Sequence, residues 1–494
     1  DVVVAAAGTN TISTGTQNDT VTISGGINTV ITGSGDDTVH VSNGDNDIET
    51  GSGSDRVTLT GGTNTIDGET GKNTLYISDG NNTIYSGSGD DTIFLYGGVN
   101  IVATGLGNDK VTVSGGTNLI SPGADGDTIN MHGGTNTIVG DKVNDILFVS
   151  DGNNAINSGS GDDEITLTGG INEVNAGTGD DIVTASGGAS NVDIRVLEGG
   201  DGEDTLRIIS TGNVTLPTFS NFETIFIQDT VHQSLDFSLS ASITEIELDS
   251  GSTIDGDTIT LTLAAGQALI IDSIIDGDTT SASIADGGIV IAQDGSINSL
   301  DLTLDDVGPS TSTLNENVFI DIAGTNVSSA KITSGNNSFV VISNSGGALT
   351  GLELLGTGSM ALGTLPTSIT NVNGAAASAN LTLTIGSGTN TIRGGIGDDA
   401  ITLTGGTNDV ETGDGNDTIT TSTNLVVGDR IDGGNGSDTL EVIHTGLVTI
   451  PSTANLISIE NISIQDTVHQ TLDFSSLTSI TGIELDSGTT VNGA

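Results

Sequence analysis

The sequence predicts an all-β protein: a parallel β-solenoid with 18-residue coils, followed by irregular β-helical segments or, alternatively, a β-sandwich. A phrase of 18 residues recurs from about residue 15 to residue 186, as in GSGDDTIFLYGGVNIVAT at 87–104 and GSGDDEITLTGGINEVNA at 159–176. Each phrase has two glycine turns, and each turn precedes a short stretch of alternating apolar and polar residues. Alternation is the period of a β-strand, and a fixed step between phrases indicates stacked coils.

Three columns of aliphatic residues follow the repeat and predict the core of the solenoid. They begin at Val21, Ile23 and Val30, and each column continues every 18 residues. Glycine pairs interrupt every candidate helical segment, which excludes a helical repeat. The strands of successive coils are therefore expected to pair in parallel, about 4.8 Å apart.

The composition limits the partners of the chain. Its 494 residues include 64 acidic and 9 basic residues, for a net charge of −55, and no cysteine. Without a basic footprint, nucleic acid and anionic membrane surfaces are excluded as partners. No apolar run approaches the roughly 20 residues of a membrane span, so no membrane insertion is expected.

The turn at one edge of each coil reads GxGxD and predicts a metal-binding array. Its aspartates are Asp19, Asp37, Asp55, Asp91, Asp109, Asp127, Asp145, Asp163 and Asp181. Two unit charges one strand spacing apart repel by about 3–4 kcal/mol at an effective dielectric constant of 20. Such a column should not close without cations, and Ca²⁺ accepts carboxylate and carbonyl oxygens in flexible geometry.

Two turns of this edge are weaker. In ETGKN at 69–73, Asn73 stands where the aspartate is expected, and Lys72 beside it is interpreted as an internal counter-charge. The turn DKVND at 141–145 also lacks the usual glycines.

The opposite turn reads GGxN and predicts a metal-free edge. Its asparagines should hydrogen-bond from coil to coil. They are Asn10, Asn28, Asn46, Asn64, Asn82, Asn100, Asn118, Asn136, Asn154 and Asn172. A cell-surface polysaccharide is the alternative partner for this edge.

The GxGxD turns resemble those of the RTX family, whose nonapeptide GGxGxDxUx (U, a large aliphatic residue) binds calcium in a parallel β-roll. The best matches are GGDGEDTLR at 199–207, GGIGDDAIT at 394–402 and GGNGSDTLE at 433–441. The resemblance extends the predicted calcium ligands to Asp204, Asp399, Asp417 and Asp438. In the family both turns of a coil usually carry aspartate, whereas here only one does.

The chain is organised as about two copies of a larger unit. FETIFIQDTVHQSLDFS at 222–238 returns as IENISIQDTVHQTLDFS at 459–475. We predict a regular RTX-like roll at 1–194, an irregular β extension at 195–256, an irregular β-rich segment at 257–380, a short second roll at 381–440 and a second extension at 441–494. The stretch 371–395 resembles the start of RTX rolls in bacterial surface-layer proteins.

No catalytic motif of the HExxH, GxSxG or P-loop type is present, so the chain is not expected to be an enzyme. The leading hypothesis is an extracellular, calcium-stabilised structural protein of a bacterial surface layer, filament or adhesin. The alternatives are an accessory module of a secreted enzyme and an ice-binding adhesin region. Leu106, Ala124 and Lys142 interrupt the outward array that ice binding would need. Neither terminal sequence looks capped, which predicts head-to-tail self-association of the secreted chain at the cell surface.

Overall fold

A computed structural model describes residues 1–187, 193–210, 219–229, 234–237, 242–249, 253–254, 258–264, 267–272, 275–276, 288–293, 299–305, 307, 318–444, 455–466 and 480–486. The regular structure of these residues consists of β-strands alone, and they contain no helix able to cross a membrane. The chain forms two compact units, Asp1–Asp229 and Thr230–Ala494. The repeated triplets at 231–233 and 468–470 lie outside the described residues.

The first unit contains 23 described strands, which begin after the glycine turns and are rich in Val, Ile and Thr, the residues that suit a pleated surface. They are β1 (Val2–Ala5), β2 (Thr9–Thr16), β3 (Thr20–Ser24), β4 (Ile27–Ser34), β5 (Thr38–Ser42), β6 (Asp45–Glu49), β7 (Arg56–Thr60), β8 (Thr63–Asp67), β9 (Thr74–Ser78), β10 (Asn81–Ser88), β11 (Thr92–Leu95), β12 (Val99–Leu106), β13 (Lys110–Val113), β14 (Thr117–Ser121), β15 (Thr128–Val139), β16 (Ile146–Asn157), β17 (Glu164–Leu167), β18 (Ile171–Thr178), β19 (Ile182–Gly187), β20 (Asp193–Asp201), β21 (Thr205–Ser210), β22 (Phe219–Ser220) and β23 (Thr224–Asp229).

Strands of the first unit pair in parallel with the strand one coil away. From β1 to β14 the odd-numbered strands form one stack and the even-numbered strands form the other. Strands β15 and β16 each run through both halves of a coil. The register joins equivalent residues, such as Val21 with Val39 and Ile84 with Val102, and so confirms the parallel solenoid with 18-residue coils.

The three predicted aliphatic columns form the core of this unit. None of their side chains is more than 4% exposed from Val21 to Ala185. Alternation along each strand turns these side chains inward and leaves the residues between them outside. Because the interior is filled by one layer of aliphatic side chains from each face, the chemically distinctive groups lie at the turns.

The second unit contains 24 described strands. They are β24 (Ser234–Asp236), β25 (Glu245–Asp249), β26 (Thr253–Ile254), β27 (Thr258–Leu263), β28 (Ala268–Asp272), β29 (Ile275–Asp276), β30 (Gly288–Gln293), β31 (Ser299–Asp305), β32 (Val318–Ile322), β33 (Ser329–Ser334), β34 (Ser338–Ser343), β35 (Gly351–Gly356), β36 (Met360–Thr364), β37 (Asn371–Ala377), β38 (Leu381–Ile385), β39 (Thr389–Ile396), β40 (Ala400–Leu403), β41 (Thr407–Asp414), β42 (Thr418–Thr421), β43 (Arg430–Asp432), β44 (Thr439–His444), β45 (Asn455–Ile457), β46 (Asn461–Asp466) and β47 (Gly482–Asp486).

Coil length varies in the second unit, but the described strands still pair in parallel. Partners are 30 residues apart at Asp301 and Lys331, and 18 apart at Asn390 and Asn408. A β-sandwich is built from antiparallel sheets. The described part of 257–380 therefore follows the β-helical alternative, with coils wider than those of the regular roll.

Candidate metal centres

The glycine turns bring the predicted aspartates into one column. Gly51 has a φ of +88°, and a Cβ built on it would lie 1.8 Å from the carbonyl oxygen of Gly33 in the previous coil. Only glycine allows this backbone conformation and this close approach. Successive turns therefore stack closely, and the side chain that follows each turn points to the same place in every coil.

Within the first unit, the aspartate column is continuous from coil to coil and buried. Each backbone N–H from Asp19 to Asp181 donates to the carboxylate Oδ1 of the next coil, as from Asp37 to Asp55 at 2.7 Å, except that Asp55 donates to the amide Oδ1 of Asn73 at 3.0 Å. The predicted aspartates of this column are at most 3% exposed, and the column extends through Asp181 to Asp204. A shorter column in the second unit joins Asp399 to Asp417 and Asp417 to Asp438.

The second carboxylate oxygen, Oδ2, is buried and accepts no hydrogen bond at twelve of the thirteen predicted ligands. These are Asp19, Asp37, Asp55, Asp91, Asp109, Asp127, Asp145, Asp163, Asp181, Asp204, Asp417 and Asp438. Asp399 differs because its Oδ2 accepts the N–H of Gly395 at 3.2 Å. Ser or Thr hydroxyl groups lie beside several column carboxylates, as Ser86 does beside Asp91, but they donate to carbonyls of the next coil. A buried acceptor without a donor costs about 1–3 kcal/mol, and more when it is charged.

Burial raises the pKa above the usual 3.8 at eleven of the predicted ligands, from Asp55 to Asp438, whereas the hydrogen bond with the N-terminal ammonium group lowers the pKa of Asp19. The pKa of Asp127 rises to about 8, and the pKa values of Asp91 and Asp181 rise to about 7. Desolvation is the largest cause in each, and a neighbouring carboxylate adds to it. A proton or a cation is therefore needed to hold the column together.

Asn73 occupies an aspartate position of the column, and the contacts of its amide show which groups the unpartnered Oδ2 atoms face. Its Oδ1 accepts the N–H of Asp55, as an aspartate would, but its Nδ2 donates to the carbonyls of Gly68 at 3.1 Å and Ser86 at 3.2 Å. An aspartate at this position would place an oxygen against two other oxygens. The amide thus supplies the missing donor at the weakened turn.

The interpretation of Lys72 as an internal counter-charge is wrong. Its side chain is 68% exposed, and its ammonium group pairs with the exposed carboxylate of Asp90. The same turn position is exposed in other coils, as at Asp36, Asp90 and Asp162, so a side chain there points into water. The weak turn at 141–145, in contrast, retains a normal position in the column: Asp145 is buried and donates its N–H to Asp163 at 2.7 Å.

The asparagine edge is confirmed as a hydrogen-bonded ladder. Each Nδ2 donates to the Oδ1 of the next coil at 2.6–2.9 Å, from Asn10 to Asn172. The same nitrogen also donates to a carbonyl three residues earlier, as from Asn28 to Gly25 at 3.2 Å. An amide carries both a donor and an acceptor, so this edge closes without a cation.

Glu223 and Glu460, which follow the last aspartates of the two columns, were not predicted from the sequence. Asp204 donates its N–H to Oε2 of Glu223, and Asp438 donates its N–H to Oε2 of Glu460, each at 2.9 Å. The glutamates lie outside any GxGxD turn, in the related passages NFETIF and SIENIS. The recurrence of these passages was the available signal.

The donor set of the aspartate column fits calcium. Carboxylates of successive coils, together with backbone carbonyls of the turns, would hold the calcium ion. These are the oxygen ligands that Ca²⁺ prefers. In the described part of the chain no three acidic or histidine side chains converge on one point. Backbone carbonyls would therefore complete the ligand set.

Comparison with known protein families agrees with a calcium-binding role for the aspartate edge. The family model of the RTX calcium-binding nonapeptide repeat (4 copies) matches residues 1–29, 22–57, 58–93, 94–129, 132–165, 166–189, 384–419 and 428–441. A comparison with curated proteins found no match to the chain. RTX repeats bind calcium, are typically structural rather than catalytic, and typically belong to secreted proteins.

Proposed function

Because the chain is an RTX-type repeat protein over most of residues 1–189 and within 384–441, we propose that it is a calcium-stabilised structural protein that works outside the cell. The observation that carries this proposal is the row of buried carboxylates whose Oδ2 atoms have no partner. Calcium bound there supplies the positive charge that the column lacks. The predicted ligands are the thirteen aspartates named above, from Asp19 to Asp438.

Each part of the chain has a definite role in this proposal. The turn glycines bring successive coils together, the Oδ1 atoms fix the register by accepting backbone N–H groups, and the Oδ2 atoms face the cation. The ligand set is assembled only when neighbouring coils stack, so calcium binding and folding are coupled. The asparagine ladder holds the opposite edge in register without metal.

The experiment compares the two edges. Asp109→Ala removes a buried carboxylate that accepts the N–H of Asp91, and Asn118→Ala removes a buried amide that bonds to both neighbouring coils. Bound calcium, measured by elemental analysis after equilibrium dialysis, is expected to fall in Asp109→Ala and to stay unchanged in Asn118→Ala. Equal calcium content in the two variants would overturn the assignment of the metal to the aspartate edge.

We further propose that the chain self-associates head to tail, as part of a surface layer, filament or adhesin. Parallel coils expose strand hydrogen bonds along the stacking direction, so coils of another chain can continue the stack. A heterologous contact of this kind forms an open line rather than a closed ring. Calcium would favour it by lowering repulsion between chains of charge −55.

Light scattering and electron microscopy, with and without calcium, test this assembly. Growth of linear particles on addition of calcium is expected. A calcium-loaded protein that stays monomeric at all concentrations would rule out self-association while leaving the calcium assignment intact.

A further inference from the structure

Both aspartate columns end on a glutamate rather than on an aspartate. Glu223 follows Asp204 in the first unit, and Glu460 follows Asp438 in the second. The contact is the same in each, an N–H of the aspartate donated to Oε2 at 2.9 Å. The two steps differ in length, 19 and 22 residues, so the 18-residue repeat does not impose this arrangement.

The last aspartate of each column has an unpartnered oxygen that faces the glutamate's coil. Asp204 and Asp438 are fully buried, and the Oδ2 of each has no partner. A Cβ built on Gly199 would lie 2.7 Å from Oδ2 of Asp204 and 1.9 Å from the carbonyl oxygen of Asn221. Oδ2 of Asp204 and the carbonyl oxygen of Asn221 therefore both border the space that a side chain on Gly199 would occupy.

The second unit repeats this geometry with different residues. A Cβ on Gly433 would lie 2.6 Å from Oδ2 of Asp438 and 2.3 Å from the carbonyl oxygen of Ser458. Ser458 and Asn221 both adopt the left-handed conformation, with φ of 51° and 57°. This conformation costs a residue other than glycine on the order of 1–3 kcal/mol. An asparagine in one unit and a serine in the other both adopt this conformation, which indicates that the position of the backbone carbonyl matters more than the side chain.

We propose that each column ends in a further calcium site, made by Asp204, the Asn221 carbonyl and Glu223 in the first unit and by Asp438, the Ser458 carbonyl and Glu460 in the second. This inference rests on the proposed calcium-binding function. Glu223 and Glu460 lie outside the residues matched by the repeat family, so the repeat itself does not assign them. The glutamate supplies, in the last coil, the second carboxylate that the next aspartate supplies elsewhere.

Glutamine substitution tests the sites one at a time. In Glu223→Gln and Glu460→Gln the side-chain oxygen still accepts the aspartate N–H, while the charge is lost. Each variant is expected to bind one calcium ion fewer than the parent, and the double variant two fewer, by elemental analysis after equilibrium dialysis. The matched control is Glu203→Gln, an exposed residue of the preceding coil, which is expected to bind the parental amount.

A second variant separates the carbonyl from the side chain. Asn221→Gly keeps the carbonyl and accepts the left-handed conformation without strain, so full calcium content is expected. Unchanged calcium in both glutamine variants, together with a loss in Asp109→Ala, would overturn the terminal sites and leave the proposed function standing. A parent protein that binds no calcium would overturn both.

Discussion

Asn73→Asp is the substitution that probes the aspartate column most directly, because it adds one carboxylate where the chain now has an amide. The change removes the two hydrogen bonds from Nδ2, to Gly68 at 3.1 Å and to Ser86 at 3.2 Å. It also leaves a buried acceptor without a donor. Two hydrogen bonds at about 1 kcal/mol each and the unsatisfied oxygen together predict a loss of about 2–4 kcal/mol without calcium.

Calcium should reverse this loss, since the new Oδ2 joins the column on both sides. Calcium content is expected to rise by at least one ion. For a unit of this size, the metal-free loss corresponds to a fall in melting temperature on the order of 5–15 °C, measured by circular dichroism. Asn118→Asp is the control: the same exchange in the asparagine ladder should lower stability with no gain of calcium. Equal metal-free melting and calcium content in Asn73→Asp and the parent would refute the reasoning.

Three other predictions concern the opposite edge, pH and the second unit. Asn118→Ala removes ladder bonds at 2.7 and 2.8 Å and should lower the free energy of unfolding by roughly 1–3 kcal/mol, as measured by thermal denaturation with calcium present. Burial raises the pKa of Asp91 to about 7 and of Asp127 to about 8, so the metal-free fold is stabilised below about pH 4 and loses this contribution as pH rises through about 6–8. Metal-free melting temperature should therefore fall between about pH 5 and pH 8 and depend less on pH with calcium bound; a rise over that window would contradict the burial argument. Arg393 pairs with Asp409 at 2.9 Å and with Glu411 at 3.3 Å on the outer face. Arg393→Gln should therefore lower the free energy of unfolding by at most about 1 kcal/mol, by less at high salt, and equally with and without calcium. A loss that depends on calcium would show that this face is linked to the metal.

Periodicity was sufficient to predict the regular roll. The step of 18 residues fixed the parallel register, and alternation within each strand fixed which residues are buried, because a one-residue shift would turn every apolar side chain outward. Both ladders followed from one residue type recurring at one position. The predicted core columns and asparagine bonds are accordingly present in the structure.

Lys72, Asn73 and Glu223 show where such reasoning stops. Spacing indicates that a residue belongs to the column, but not which of its atoms has a partner. The ion pair of Lys72 depends on Asp90 of the next coil, and the bonds of Asn73 depend on the carbonyls packed against its amide. The contact of Glu223 depends on a coil of irregular length. These features follow from packing between coils, for which one sequence carries no periodic signal.

Folding with and without calcium tests the central claim most directly. The protein is dialysed free of metal at about pH 8, where the column carries most charge, and circular dichroism is recorded as calcium is added. Extracellular calcium modules bind at about 10⁻⁴–10⁻³ M. The structure predicts less β-structure and a lower melting temperature in the metal-free protein, and recovery of both over that concentration range. An unchanged β-spectrum and melting temperature in the metal-free protein would contradict the claim that calcium holds the aspartate column together.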